Sequence, residues 1–104
     1  MRLPKRQTKK QVHAEIQNGV RDYLIIHHWM VKRMKAGPFS EKGLADLITL
    51  KNGFHRWIEI KISEDDPLKA DQEEFKQEVE DHGGEYWVIW SIDQLEVFKK
   101  LGKI

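Results

Sequence analysis

The segment LADLITLKNGFHRWIEIKI, residues 44–62, decides the fold of this chain. It contains two apolar runs, 44–51 and 54–62, with Asn52-Gly53 between them. Asn-Gly between two such runs is a strong hairpin signal, because both central positions of the tightest hairpin turn require a positive φ. The segment therefore predicts two antiparallel strands, Leu44–Lys51 and Phe54–Ile62, joined by a two-residue turn.

The turn also determines which side chains face each other across the hairpin. In a two-residue turn Lys51 faces Phe54. Counting outward from that pair places Asp46 opposite Glu59. Lys61 lies two residues beyond Glu59, so its side chain points to the same face of the sheet. A four-residue loop centred on the same dipeptide keeps this register, whereas a loop of odd length shifts it.

Upstream of the hairpin the sequence predicts a helix and then a strand. Thr8 and Gln11 have the spacing of a capping box, which opens a helix. Apolar residues then recur at helical spacing and form one stripe: Val12, Ile16, Val20 and Tyr23. The β-rich run Tyr23–Val31 predicts a strand, and a basic loop, Lys32–Gly43, leads into the hairpin.

Downstream of the hairpin a second helix begins at Asp66-Pro67 or at Lys69 and ends at Gly83-Gly84, whose glycines suit a helix C-terminus. The residues expected on its inner face are Leu68, Gln72, Phe75 and Val79. The apolar run Tyr86–Trp90 predicts a strand buried on both faces. Another capping-box spacing, Ser91 to Gln94, opens a last helix that runs to about Leu101.

The predicted order is therefore αβββαβα. The second helix connects two strands as a crossover, which makes those strands parallel, whereas the hairpin strands are antiparallel. We expect residues 1–104 to form a single α/β domain, in which helices flank a small mixed sheet.

The amino-acid composition excludes several classes of protein. The chain of 104 residues has no cysteine, which excludes a disulfide framework and thiolate chemistry. No segment approaches the roughly 20 apolar residues that span a bilayer, and the basic start has no apolar signal-peptide core behind it. We expect a cytoplasmic protein with no membrane partner.

The net charge of +1 hides a strong division along the chain. Residues 1–61 carry 13 basic and 5 acidic side chains, whereas residues 62–104 carry 5 and 12. Such asymmetry is typical of a protein with one surface that faces a polyanion. The alternative is that each half simply has a solvated surface.

Two facing carboxylates on a sheet are costly, because like charges repel and partly buried carboxylates lose hydration. Lys61 supplies one compensating charge, and a divalent cation supplies more. Hard oxygen ligands favour Mg²⁺ or Mn²⁺ over zinc in a chain without cysteine. The alternative is that Glu59 and Lys61 form an ordinary ion pair on an exposed sheet face, which contributes little.

Four separated sequence elements, the first of them Glu15 on the first helix, together resemble a known family. Gly43-Leu-Ala-Asp46, Trp57-Ile-Glu59-Ile-Lys61 and Gln72 are similar to the motifs of the PD-(D/E)xK nuclease superfamily. The likeness is to its VRR-NUC branch, whose pattern runs from Glu on the first helix through Gly-x-x-Asp and Glu-x-Lys to Gln. It extends from Glu15 to about Ile92, with Ala45 where the superfamily motif has Pro. It implies a restriction-endonuclease-like core.

The resemblance implies a role for each motif residue. Asp46 and Glu59 would bind Mg²⁺ or Mn²⁺, helped by the backbone carbonyl of Ile60. Glu15 would reach the metal through water or hold a second ion. Lys61 would orient the attacking water and stabilise charge on the phosphate. Gln72 would position the amine of Lys61 or contact the phosphate.

The resemblance further implies a metal-dependent DNA endonuclease that acts as a homodimer on branched DNA such as Holliday junctions, in a bacterium or a phage-infected cell. One alternative is a nucleic-acid-binding module of the same fold that does not cleave. Another is a small interaction or toxin-like α/β protein without a nucleic-acid partner.

Basic and histidine residues outside the motifs give weaker signals. A cluster near the N-terminus either contacts the DNA backbone or forms a solvated terminus: Arg2, Lys5, Arg6, Lys9 and Lys10. Neighbouring histidines in a strand point to opposite faces, so His27 and His28 do not form a metal pair. The remaining histidines, His13, His55 and His82, have no metal-ligand spacing.

Overall fold

A computed structural model of the chain describes residues 6–35 and 41–104. The elements are α1 (Lys9–Ile26), β1 (Met30–Arg33), β2 (Leu47–Lys51), β3 (Phe54–Ile60), α2 (Ala70–Asp81), β4 (Glu85–Ile89) and α3 (Ile92–Lys100). This confirms the predicted αβββαβα order. The predicted DNA contacts of Arg2 and Lys5, and residues 36–40 of the basic loop, lie outside the described residues.

The four strands form one mixed sheet in the order β1-β2-β3-β4. The pairs β1–β2 and β2–β3 are antiparallel, and the pair β3–β4, which α2 connects, is parallel. Asn52 and Gly53 have φ of 52° and 84°, and Lys51 pairs with Phe54. The predicted turn and register are therefore confirmed.

Helices cover both faces of the sheet. On one face, α1 and α3 pack on a core of buried aliphatic residues, which includes Leu24, Ile58, Ile89 and Leu95. On the other face, α2 packs on a smaller cluster that contains Val79 and Tyr86, with Trp57 and Phe75 against it. Side chains alternate along β3, so Glu59 and Lys61 lie on the α2 face with Trp57.

The predicted strand Tyr23–Val31 is wrong except for its last two residues, because α1 continues to Ile26 and β1 begins only at Met30. His27 and His28 lie in the turn after the helix and not in a strand. Leu24 lies four residues after Val20, and both are fully buried, so core packing outweighs the β propensity of this run. The helix ends in a Schellman motif, in which Trp29 N–H donates to the Leu24 carbonyl at 2.9 Å. His28 adopts the left-handed conformation there, with a φ of 71°.

The two later helices end where their glycines predict. Gly83 and Gly102 both have positive φ and follow the last turns of α2 and α3. Capping boxes at Thr8 and Ser91 begin α1 and α3 as predicted. No helix in the described part of the chain is both long and apolar enough to cross a membrane.

Candidate active site

Asp46 lies directly before β2, at the end of the sheet. The β2–β3 ladder stops at the pair Leu47–Ile58. Beyond it, the Asp46 carboxylate accepts the N–H of Ile60 through Oδ2 at 2.7 Å, in place of a backbone carbonyl. The Asp46 backbone carbonyl accepts the N–H of Met34 at 2.8 Å. The carboxylate is thus fixed beside the end of β3.

Gly43, the glycine of the Gly-x-x-Asp element, lies against the first turn of α2. It has a φ of 84°, and a Cβ atom there would lie 2.3 Å from the backbone oxygen of Asp71. Only glycine combines this backbone conformation with so close an approach. Gly43 therefore allows the segment that carries Asp46 to pack against α2.

We predict that Gly43→Ala destabilises the protein by about 2 kcal/mol or more, since it adds a backbone clash to the cost of a left-handed alanine. Urea unfolding measures the change. The matched control is Gly53→Ala, where φ is also 84° but nothing lies within 4 Å of the added Cβ. Equal losses for the two variants would show that the contact with Asp71 is unimportant.

Glu59, Lys61 and Gln72 form one hydrogen-bonded group. Gln72 Oε1 accepts from Lys61 Nζ at 2.9 Å, and its Nε2 donates to Glu59 Oε1 at 2.9 Å. The same Oε1 accepts the backbone N–H of Lys69, the N-cap residue of α2. The start of α2 therefore holds the amide that joins the carboxylate to the amine, as the predicted inward position of Gln72 requires.

The charged groups of this site are buried. Glu59 is 5% exposed and Lys61 is 6% exposed. Burial raises the pKa of Glu59 to about 8, and the neighbouring Asp46 carboxylate acts in the same direction, while Lys61 opposes them. Burial, followed by the charge of Glu59, also raises the pKa of Tyr86. The Glu59 carboxyl group is therefore largely protonated at neutral pH, and ionising it adds a second negative charge beside Asp46.

This pKa shift predicts how stability depends on pH. The folded protein holds the Glu59 proton more tightly than the unfolded chain, whose ordinary pKa is 4.5. The stabilisation is complete below the unfolded pKa and is lost as pH rises through about 8. Urea unfolding in EDTA should show a loss on the order of a few kcal/mol. Glu59→Gln should remove this component, and an equally steep profile in that variant would contradict the assignment.

Two polar atoms on the α2 face are buried and find no hydrogen-bond partner among the described residues: Glu59 Oε2 and the Tyr86 hydroxyl. An unpaired carboxylate oxygen beside a second carboxylate suits a hard cation, which takes oxygen ligands. No three His, Asp or Glu side chains in residues 6–35 and 41–104 form a complete metal cluster. Asp46 and Glu59 thus fit as partial ligands, with water or backbone oxygens for the rest.

Helix α1 presents a different residue to the site from the one predicted. Glu15 is exposed and accepts a hydrogen bond from Gln7. No contact described here joins it to Asp46 or Glu59, and its role at the metal stays a prediction. Instead, Nε2 of His13 lies 3.5 Å from Oδ2 of Asp46. Sequence spacing did not indicate His13, because this contact depends on how α1 packs over the end of the sheet.

The fold is shared with a protein of known structure. The chain is similar to a solved structure described as "VRR_NUC domain", with a TM-score of 0.75 over 86% of this chain and 95% of that one. The two sequences are 18% identical, so the similarity is one of fold. No protein-family model and no curated protein matches the sequence. The predicted α/β fold is confirmed, and it is the fold of a VRR_NUC domain.

Proposed function

We propose that this chain, which has the fold of a VRR_NUC domain, is a VRR-NUC endonuclease of the PD-(D/E)xK superfamily that hydrolyses DNA with Mg²⁺ or Mn²⁺. One observation carries the proposal: Asp46, Glu59, Lys61 and Gln72 converge at one end of the sheet. Within this fold, two acids beside a buried amine are an arrangement suited to phosphodiester hydrolysis.

The chemistry requires a nucleophilic hydroxide and compensation of the charge that develops on the phosphate. A bound divalent cation supplies both, by acidifying water and by acting as a Lewis acid. Asp46 and Glu59 would hold this cation, together with the backbone carbonyl of Ile60. Their burial beside each other favours binding, because a cation compensates the two effects that raise the pKa of Glu59, its burial and then the charge of Asp46.

Lys61 would orient the attacking water and stabilise negative charge on the phosphate. Its amine is already fixed by Gln72 Oε1 at 2.9 Å. A preorganised donor needs little rearrangement in the transition state, which makes it more effective than a mobile surface lysine. Gln72 is therefore a positioning residue in this proposal, since it acts through both Lys61 and Glu59.

Basic side chains near Asp46 support DNA as the substrate. Lys9 lies one helical turn before His13, which contacts Asp46, so it projects on the same side of α1. Arg33 ends β1, directly before Met34, whose N–H binds the Asp46 carbonyl. Both basic residues are exposed. With Arg6 and Lys10, they would contact the phosphate backbone on either side of the site.

We also propose which DNA the protein cuts and in how many copies it acts. We propose that residues 1–104 act as one nuclease domain and that two copies form a homodimer on branched DNA. A domain of this size offers little surface to grip a junction, and a second copy would supply more. Two active sites would then make paired cuts.

The test is incubation of labelled four-way junction and linear duplex DNA with the protein in Mg²⁺ or Mn²⁺, with EDTA as the control. We expect metal-dependent cleavage that favours the junction, and an affinity that falls steeply with salt. Binding without cleavage would establish the non-cleaving module instead. If the protein neither binds nor cleaves DNA, the alternative of a small interaction protein without a nucleic-acid partner is favoured.

A further inference from the structure

The contact between α1 and Asp46 has no assigned role in the proposed reaction. Nε2 of His13 lies 3.5 Å from Asp46 Oδ2, and both side chains are partly buried, with 35% and 26% exposed. Successive helical residues are rotated by about 100°. His13 and Glu15, two positions apart, therefore point to nearly opposite sides of α1. The helix presents the histidine to the acidic pair and the glutamate to solvent.

Two nitrogen groups therefore approach the same oxygen atom, Oδ2 of Asp46. The Ile60 N–H donates to it at 2.7 Å from β3, and the His13 ring approaches it from α1. A single hydrogen bond leaves a carboxylate free to rotate about it. A second contact on the same oxygen, from another element of the fold, restricts that rotation. Oδ1 is the oxygen that neither nitrogen engages.

We propose that His13 is a positioning residue that orients the Asp46 carboxylate, so that Oδ1 is presented to the cation. The inference rests on the proposed function, because it assumes that Asp46 binds metal. Nε2 carries a proton in one neutral tautomer and in the imidazolium form, so either form can direct an N–H toward Oδ2, across a contact of 3.5 Å that is longer than an ordinary hydrogen bond. Groups that fix a metal-binding carboxylate commonly change metal affinity about 10- to 100-fold when they are removed.

The test compares three replacements of His13 by the Mn²⁺ affinity of the protein without DNA, measured by calorimetry. His13→Gln places an amide N–H near the position of Nε2, whereas His13→Asn reaches only the position of Nδ1. His13→Leu removes the donor. We expect the Asn and Leu variants to bind Mn²⁺ about 10- to 100-fold more weakly, and the Gln variant to recover most of the affinity.

Kinetics provide a second measurement with the same variants. We expect kcat at subsaturating Mn²⁺ to fall for the Asn and Leu variants and to recover at high Mn²⁺, while KM for DNA changes little. His55→Ala is the matched control, because His55 is exposed and lies four residues, roughly 13 Å, before Glu59 on β3. Urea unfolding checks that each variant folds. Glu15→Gln tests whether Glu15, rather than His13, supports Mn²⁺ binding.

Each outcome is decisive for the role of His13. Unchanged Mn²⁺ affinity in His13→Leu would overturn the inference and leave the proposed function intact. An equal loss of Mn²⁺ affinity in the His13→Gln and His13→Leu variants would also overturn it, since an N–H at the position of Nε2 would then have no effect. A wild-type protein that neither binds Mn²⁺ nor cuts DNA would overturn both.

Discussion

Lys61→Ala should abolish DNA cleavage while leaving DNA affinity within about twofold of the wild type. Loss of one preorganised donor to a developing charge typically costs about 100- to 1,000-fold in rate. DNA affinity should persist, because Lys61 is buried and bonded to Gln72, whereas the proposed phosphate contacts involve exposed basic residues. Single-turnover cleavage and fluorescence anisotropy with junction DNA measure the two quantities.

A matched control separates the role of Lys61 from a general need for a lysine on the hairpin. Lys51 is on the same hairpin, and its amine is also fixed by an oxygen, the backbone carbonyl of His27 at 2.8 Å. Lys51→Ala should therefore keep cleavage close to the wild-type rate. Cutting by Lys61→Ala at an undiminished rate would show that the amine has no part in the chemistry.

Asp46→Asn should reduce Mg²⁺ and Mn²⁺ affinity by about 100-fold or more, because it removes one of the two carboxylates proposed to bind the cation. The fold should persist, since the asparagine amide oxygen can still accept the Ile60 N–H that Asp46 accepts at 2.7 Å. Without metal, and above about pH 8 where Glu59 is ionised, the variant should be more stable by up to about 1 kcal/mol, because a like charge beside Glu59 is gone. Calorimetry and urea unfolding in EDTA measure these effects.

The same substitution should also lower the pKa of Glu59, because the Asp46 carboxylate is one of the causes that raise it. The pH at which apo stability declines should therefore shift downward in Asp46→Asn. Unchanged metal affinity together with unchanged apo stability would contradict the description of the two carboxylates as a repelling pair that shares a cation.

Local sequence chemistry was sufficient to predict the hairpin, its register and the helix ends that carry glycine. Asn52-Gly53 permits essentially one tight turn, and the register follows from it by counting. Gln72 was likewise predictable, because helical spacing places it inward beside Phe75. These features depend on residues close together in the chain, where pattern and geometry are directly linked.

The features that sequence did not predict depend on contacts between distant elements. Tyr23–Ile26 is helical because Leu24 packs into the core, and the left-handed position behind the helix is taken by His28, where glycine is the usual residue. The contact of His13 with Asp46 joins residues 33 positions apart. The need for glycine at Gly43 arises from the backbone of Asp71, which no local pattern reveals.

The most direct test of the central claim is a crystal of the protein grown with Mn²⁺ and examined by anomalous diffraction. We predict an anomalous peak about 2.2 Å from one oxygen of Asp46 and one oxygen of Glu59, with Lys61 beside it. A map at saturating Mn²⁺ that shows these carboxylates turned apart, with no ion between them, would contradict it.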